Sequence, residues 1–139
     1  MTKEYYQAHP DDVHKYWELF GGLILKAMTK TQQEDYTLEG CYHRLTTNQW
    51  QLFVILNDGE LESIFVTSVI PFDLCCYLNP MFLAGVDTNK VDLKFMQECI
   101  EDVAKKFNCN KIMGGGRKGW IRVLSKFGYE DLQLVVKTL

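Results

Sequence analysis

The chain has 139 residues, of which 47% are hydrophobic, and a formal net charge of −3. The length predicts a single domain, residues 1–139, with a core of its own, and the composition excludes a disordered chain. An acidic balance argues against binding nucleic acid over the whole surface. No apolar run approaches the ~20 residues of a membrane span, and the opening "MTKEYYQAHP" lacks an apolar signal-peptide core, so we expect a cytoplasmic protein.

The cysteines and histidines predict neither a disulfide framework nor a metal site. The five cysteines form an odd count and include no CxxC pair. The three histidines pair with no cysteine or carboxylate at ligand spacing. We therefore expect reduced, mostly buried thiols at Cys41, Cys75, Cys76, Cys99 and Cys109.

The first part of the chain predicts two helices. Apolar side chains recur at every third or fourth position over residues 11–29, which is the pattern of a helix with one buried face. Gly21 and Gly22 lie inside this helix and weaken it, so a kink or a break is expected near them. A second, shorter helix is predicted to begin at Thr37, whose hydroxyl suits the cap position.

Three strands follow. The run "WQLFVILNDGELESIFVTSVIPF" places two β-rich segments on either side of Asp58-Gly59, which is the signal of a tight hairpin. Both segments are too apolar for a sheet with one wet face, so helices should cover both faces. The run "CCYLNPMFLAG" predicts a third strand with a bulge or a break at Asn79-Pro80, because proline cannot donate to a ladder.

The last third of the chain predicts a long helix over residues 89–107, a strand at "NKIM", a helix at "RKGWIRVLSKF" that stops at Gly128, and a closing strand at "LQLVVKTL". The predicted order is α-α-β-β-β-α-β-α-β. It indicates an α/β (α+β) fold with a mixed central sheet and helices on both faces.

The stretch "GGGRKGW" invites a phosphate-binding interpretation, which its spacing does not support. Gly114, Gly116 and Gly119 match the letters of a dinucleotide loop, but the helix they open is short and no acidic residue follows ~20 positions later. A P-loop fails as well, because its GK[ST] ending is missing at Gly119-Trp120. A structural turn is the expected role.

A weaker anion hypothesis remains for the same helix. Arg117 and Lys118 flank its N-terminus, where backbone N–H groups favour an anion. Lys118, Arg122 and Lys126 fall at helical spacing and form one basic stripe. The stripe is either a solvated face or a contact for an anion, a partner or DNA. No nucleophile–base pair emerges from the sequence, so no catalytic residue is predicted.

Four segments carry a resemblance to a known family: "YTLEGCYHRLTTNQWQLFVILNDGELES", the strand ending "FLAG", "FMQECIEDVAKKFNCNKI" and the tail "GRKGWIRVLSKFGY". With them the chain resembles the GNAT N-acetyltransferase fold over residues 11–139. More closely, it is similar to small tailed-phage proteins with that fold, of the internal virion protein or predicted acetyltransferase type.

The resemblance implies where acetyl-CoA would bind. Active members hold the pyrophosphate in an R/Q-x-x-G-x-G/A loop before the long helix, but "LAGVDTNKVDLK" here keeps only Gly85. Asp87 and Asp92 add negative charge at that place, which works against phosphate binding. An acyl-CoA ligand, if one binds, would lie along the strand formed by Phe82, Leu83, Ala84 and Gly85.

The second element that the resemblance implies is a tyrosine that acts as general acid toward the departing thiolate. Aligning Gly128-Tyr129 with the end of the family motif places Leu124 at the tyrosine position. A leucine side chain cannot donate a proton. Cys99, Ser125 and Tyr129 are alternative proton donors, and nothing in the sequence favours one of them.

Both elements of acetyl transfer are therefore degraded. We expect a phage protein that acts in virion assembly or binds a host protein without acetyl transfer, with no cofactor, in the host cytoplasm or the virion. The alternatives are a divergent acetyl-CoA-dependent N-acetyltransferase and, third, a DNA-contact module.

Overall fold

A computed structural model describes residues 2–31, 35–114, 118–132 and 135–139. The elements in chain order are β1 (Lys3–Gln7), α1 (Pro10–Lys15), α2 (Trp17–Thr31), α3 (Leu38–Thr46), β2 (Gln51–Asn57), β3 (Glu60–Pro71), β4 (Cys76–Gly85), a 3-10 turn (Thr88–Lys90), α4 (Leu93–Lys106), β5 (Lys111–Ile112) and α5 (Lys118–Ser125).

One mixed sheet organises these elements. Its strand order is β1-β2-β3-β4-β5; the first four strands pair antiparallel, and β5 runs parallel to β4. The pairing of β3 with β4 shifts where Thr67 faces Pro80 and Val66 faces Phe82. This shift is the bulge that the proline predicted.

Helices cover both faces of the sheet, and the predicted fold class is confirmed. Successive strand residues point to opposite faces, so Val54 joins one core with α1, α2 and α3, while Ile55 joins the other with α4. Ile24 and Ile100 are the helix residues at the centres of these two cores. Each fully buried side chain of this size contributes about 1.5–3 kcal/mol.

Local signals in the sequence identified three features correctly. Asp58 and Gly59 have φ of 52° and 83°, the pair of positive values that a two-residue hairpin turn of this hand requires. The Thr37 hydroxyl accepts a hydrogen bond from the Gly40 N–H at 3.0 Å and caps α3. α5 ends at Ser125, and Gly128, with φ of 88°, closes the turn that follows the helix.

The helix expected over residues 11–29 breaks at a different place from the predicted one. It divides at Tyr16, which leaves helical geometry at φ −107° and ψ 26°, and both glycines lie inside α2. Gly21 is tolerated there because the Trp17 indole packs over it: a Cβ at Gly21 would lie 3.0 Å from Cε2 of Trp17. The glycine makes room for a ring rather than for a kink.

The two ends of the predicted order are corrected. The sequence analysis missed β1, whose residues are mostly polar because it is an edge strand. The closing strand is wrong for the part that the structure describes: Leu132 and residues 135–139 are in no strand. Since β5 has only two residues, it offers a further strand almost no ladder to join.

The long helix begins later than predicted. Its first residue is Leu93, and Asp92 is its cap, while the 3-10 turn occupies part of the expected helix. The chain between β4 and α4 is therefore a compact loop over residues 86–92. Gly85 lies directly beneath it: a Cβ there would meet Cγ2 of Val91 at 2.2 Å and the Asp87 carbonyl oxygen at 3.3 Å.

This close approach predicts that Gly85→Ala lowers the melting temperature, because the stiff Val91 side chain must move and overpacking costs roughly 1–3 kcal/mol. Gly22→Ala is the matched control: a Cβ there meets nothing within 4 Å. In that exposed helical position alanine is favoured by about 0.8–1.0 kcal/mol. Thermal unfolding of both variants checks the prediction.

The double variant Gly85→Ala/Val91→Ala tests the cause. If the clash with Val91 is responsible, adding Gly85→Ala to a Val91→Ala background should cost clearly less than it does in the wild type. An equal loss in both backgrounds would contradict this explanation.

Candidate functional site

A cleft opens where β4 and β5 separate. Their ladder joins only two residue pairs, and its last hydrogen bond runs from the Met113 N–H to the Leu78 carbonyl at 2.8 Å. Beyond Leu78, β4 continues to Gly85 without β5 beside it. On the side facing β5, the backbone of this half of β4 has no strand partner in the described part of the chain and forms one wall of the cleft.

The cleft has a volume of about 260 Å³ and mostly apolar walls. The four residues that the sequence analysis assigned to an acyl-CoA ligand, Phe82, Leu83, Ala84 and Gly85, all line it. The other walls come from α2, α4 and the segment after β5, with Met96, Ile100 and Leu124 among them. The structure thus brings the predicted strand residues and the predicted acid position to one site.

The N-terminus of α4 at this site is occupied by the chain's own carboxylate. Asp92 Oδ1 accepts a hydrogen bond from the Phe95 N–H at 3.1 Å, and Oδ2 accepts one from Lys3 Nζ at 3.0 Å. The Phe95 N–H and then Lys3 hold the pKa of Asp92 below its usual range. The hydrogen bond to Asp92 in turn raises the pKa of Lys3.

The 3-10 turn repeats the same arrangement. Asp87 caps it and accepts a hydrogen bond from the Asn89 N–H at 3.1 Å. Free backbone N–H groups at a helix start are what a pyrophosphate needs. At the start of α4 and at the start of the 3-10 turn, a side-chain carboxylate accepts a hydrogen bond from one of these N–H groups. The loop also packs closely on Gly85. The residues present therefore do not fit the pyrophosphate of acetyl-CoA in the way the resemblance implied.

Two lysines of α2 face this loop, and the sequence analysis missed them. Lys26 Nζ donates to the Gly85 carbonyl at 3.0 Å, and Lys30 Nζ donates to Thr88 Oγ1 at 2.9 Å. Both line the cleft. Their four-residue spacing places them on one face of the helix, but nothing local in the sequence indicates which loop they contact.

Because Leu124 cannot act as an acid, the hydroxyl of Tyr129, which also lines the cleft, is the candidate proton donor there. This hydroxyl lies 2.8 Å from Nε2 and 3.1 Å from Oε1 of the buried Gln97, and all three residues line the cleft. Burial raises the pKa of Tyr129. The hydrogen bond with Gln97 acts in the opposite direction, but the net pKa of Tyr129 stays above its usual value.

The other two candidate acids, Ser125 and Cys99, do not line the cleft. Ser125 Oγ donates to the Arg122 carbonyl at 2.8 Å on the exposed side of α5. Cys99 is buried in the α4 core, and burial raises its pKa to about 12.

The basic stripe is described only in part. Arg122 and Lys126 are exposed at α5 and just after it. Lys118 begins α5, and Arg117 lies outside the described residues, as does the rest of the triple-glycine turn after Gly114. The anion hypothesis for Arg117 thus stays a prediction.

Two kinds of feature are absent from the described ranges. No three side chains among His, Cys, Asp and Glu there are grouped to hold a metal ion. No helix within those ranges combines the length and the apolar character needed to cross a membrane.

Neither a protein-family model nor a curated protein matches the chain. Solved structures do match. A predicted acetyltransferase from Clostridium acetobutylicum, crystallised with acetyl-CoA, has a TM-score of 0.74 at 14% identity, covering 99% of this chain and 96% of that chain.

Two further structures agree over nearly the whole length. An aminoglycoside acetyltransferase from an uncultured soil metagenomic sample has a TM-score of 0.72 at 13% identity, covering 100% of this chain and 99% of that chain. A protein from Bacillus halodurans C-125 described as a transcriptional regulator has a TM-score of 0.70 at 12% identity, covering 99% of each chain. The chain has the GNAT fold. The closer relation to phage proteins remains a prediction.

The lowered pKa of Asp92, caused first by the Phe95 N–H and then by Lys3, predicts an acid-sensitive stability. The folded pKa of Asp92 is lowered, so its contribution is present above the unfolded pKa of about 3.9 and is lost as the pH falls through the folded value. Asp92→Asn keeps a good cap but removes the charge. Between about pH 6 and pH 3, the melting temperature of the wild type should therefore fall further than that of Asp92→Asn.

The control for this comparison is Asp73→Asn, which removes an exposed carboxylate beyond the far end of β3. It should follow the wild-type pH profile. Parallel profiles for the wild type and Asp92→Asn would contradict the role assigned to the Asp92 charge.

Proposed function

We propose that this chain uses the acyltransferase fold as a binding scaffold and does not carry out acetyl transfer. The observation that carries the proposal is the Asp92 carboxylate, which caps α4 and pairs with Lys3 at 3.0 Å. It occupies the place where the family resemblance puts the cofactor's pyrophosphate.

The energetics support this. To admit a phosphate at the α4 N-terminus, the Asp92 cap has to break, and a lost cap costs about 1 kcal/mol. The phosphates of the cofactor would also lie near the carboxylates of Asp92 and Asp87, and these negative charges would repel each other. Lys26 and Lys30 bring positive charge to the opposite wall, but Lys26 is hydrogen-bonded to the Gly85 carbonyl and Lys30 to Thr88 in the loop that covers Gly85. These two contacts favour the present position of the end of β4 and of the loop.

The chemistry of the cleft supports it too. An acetyl transfer that releases a thiolate needs a proton donor near the sulfur. The motif position holds Leu124, and the hydroxyl of Tyr129 is tied to Gln97. In the described part of the cleft, the Tyr129 hydroxyl would have to leave Gln97 before it could donate a proton to a thiolate.

A protein is the partner class that the surface favours. Several large apolar side chains are almost fully exposed, among them Leu74 at 98% and Leu132, Val135, Val136 and Leu139 toward the end of the chain. Apolar groups that are exposed together are typical of protein contacts, and Val135, Val136 and Leu139 are close in the chain. With the phage resemblance, a virion component or a host protein is the expected partner. The net charge of −3 disfavours DNA.

One observation favours a second candidate, a divergent acyl-CoA-dependent acyltransferase. The apolar cleft of about 260 Å³ lies beside a stretch of β4 that pairs with β3 but not with β5, and it suits the arm of an acylated pantetheine. This candidate requires the phosphates to be held outside the α4 N-terminus.

Calorimetric and thermal-shift titration with acetyl-CoA separates the two candidates. We expect no saturable signal from the wild type at about 1 mM, whereas a ligand present at 100 times its dissociation constant would add about 2.7 kcal/mol. The variant Asp87→Asn/Asp92→Asn removes both carboxylates and keeps both caps. It should bind acetyl-CoA more tightly than the wild type if charge is the obstacle.

Saturable binding by the wild type, together with acetylation of any amine and release of the free thiol, would overturn the scaffold proposal. Leu83→Trp, which fills the cleft from β4, is the control for such a result, because it should abolish binding in the cleft but not binding elsewhere.

A further inference from the structure

Two cysteines at the base of the β4–β5 pair take no part in the functions considered above. Cys76 is the first residue of β4, and its Sγ lies 3.2 Å from Sγ of Cys109, two residues before β5. The backbone between them is fixed, because the Asn110 N–H donates to the Cys76 carbonyl at 3.2 Å. A disulfide needs about 2.05 Å between the sulfurs, so the two atoms must approach by only about 1 Å.

We propose that Cys76 and Cys109 form an oxidative modification site, at which a small-molecule disulfide converts the two thiols into an intramolecular disulfide that joins β4 to the segment before β5.

The exchange balances without any group that the protein lacks. The thiolate of one cysteine attacks a sulfur of the reagent, the reagent's S–S bond breaks, and one reagent thiol leaves. The thiolate of the other cysteine then attacks the protein sulfur of the mixed disulfide and displaces the second reagent thiol. The two cysteine protons end on the two released thiols. The protein loses two electrons and the reagent gains them.

The surroundings of the five cysteines make the site selective. Cys41 and Cys99 are buried, and burial raises the pKa of both thiols, so a reagent neither reaches them nor finds thiolate. Cys75, Cys76 and Cys109 are half-exposed. In the described part of the chain, Cys75 has no sulfur beside it, whereas Cys76 and Cys109 touch.

The exchange should be slow at neutral pH. Burial, and then the hydrogen bond from Cys76, raise the pKa of the Cys109 thiol to about 11, so its thiolate is scarce. We therefore expect the disulfide to form over hours, within the range known for uncatalysed exchange.

The expected consequence is a firmer attachment of β5. The bond closes a loop between residues 76 and 109 that contains β4 and α4, and it reinforces a ladder of only two residue pairs. Closing a loop of this length restricts the unfolded chain, so the oxidised protein should melt at a higher temperature than the reduced one.

The test incubates the full chain with oxidised glutathione, quenches the reaction with an alkylating agent, and measures the intact mass. We expect a mass about 2 Da lower than that of the reduced protein, and a loss of two of the five thiols titrated in denaturant. Trypsin should then release peptides 45–90 and 107–111 as one linked species.

Two variants assign the bond, since peptide 45–90 contains both Cys75 and Cys76. Cys75→Ser should still give the linked species, and Cys76→Ser should not. A glutathione adduct without loss of the second thiol, a linked species in Cys76→Ser, or none in Cys75→Ser would each overturn the proposal. Because Cys75→Ser keeps both proposed partners, a folding defect in Cys76→Ser leaves the test decisive.

Discussion

The position of Lys3 between two carboxylates determines how the sheet meets α4. Its ammonium lies 3.1 Å from Glu62 Oε1 and 3.0 Å from Asp92 Oδ2, and so joins β1, β3 and the start of α4. Glu62 is only 8% exposed, and its second oxygen has no hydrogen-bond partner among the described residues. Removing Lys3 would leave a buried carboxylate without its cation, which is the strongly destabilising case for an ion pair.

The Lys3–Glu62 and Lys3–Asp92 contacts differ in how much they stabilise the fold. Asp92 is 41% exposed, so solvent screens its pairing with Lys3 and that pairing alone contributes little. Its larger effect is geometric, because the cap fixes the residue at which α4 begins. The same Lys3 side chain therefore pairs with Glu62 in the sheet and with the carboxylate that caps α4. The proposed loss of the pyrophosphate site would thus share its structural origin with the stability of this junction.

The parts of the fold that the sequence predicted are those with local causes. The Thr37 cap, the Asp58-Gly59 turn and the stop at Gly128 each depend on a few neighbouring residues, and each was placed correctly. β1 was missed because an edge strand buries little and so carries little apolar pattern. The closing strand failed for the opposite reason: its residues favour a strand, but β5 is too short to pair with it.

The candidate site shows the same division between local and distant causes. The family resemblance pointed to Leu124 and residues 82–85, and strand and helix motifs bring them to one cleft, while their role toward a ligand stays a prediction. The pairing of Lys3 with Asp92 spans 89 positions, and that of Lys26 with the Gly85 carbonyl spans 59. Phe82 and Ile100 belong to the two separate cores that meet at the cleft, so its apolar walls persist for stability whether or not a ligand binds. The polar groups near the cleft are therefore more informative about function than its apolar walls. Here Lys26, Lys30 and Asp92 form hydrogen bonds with other residues of the chain.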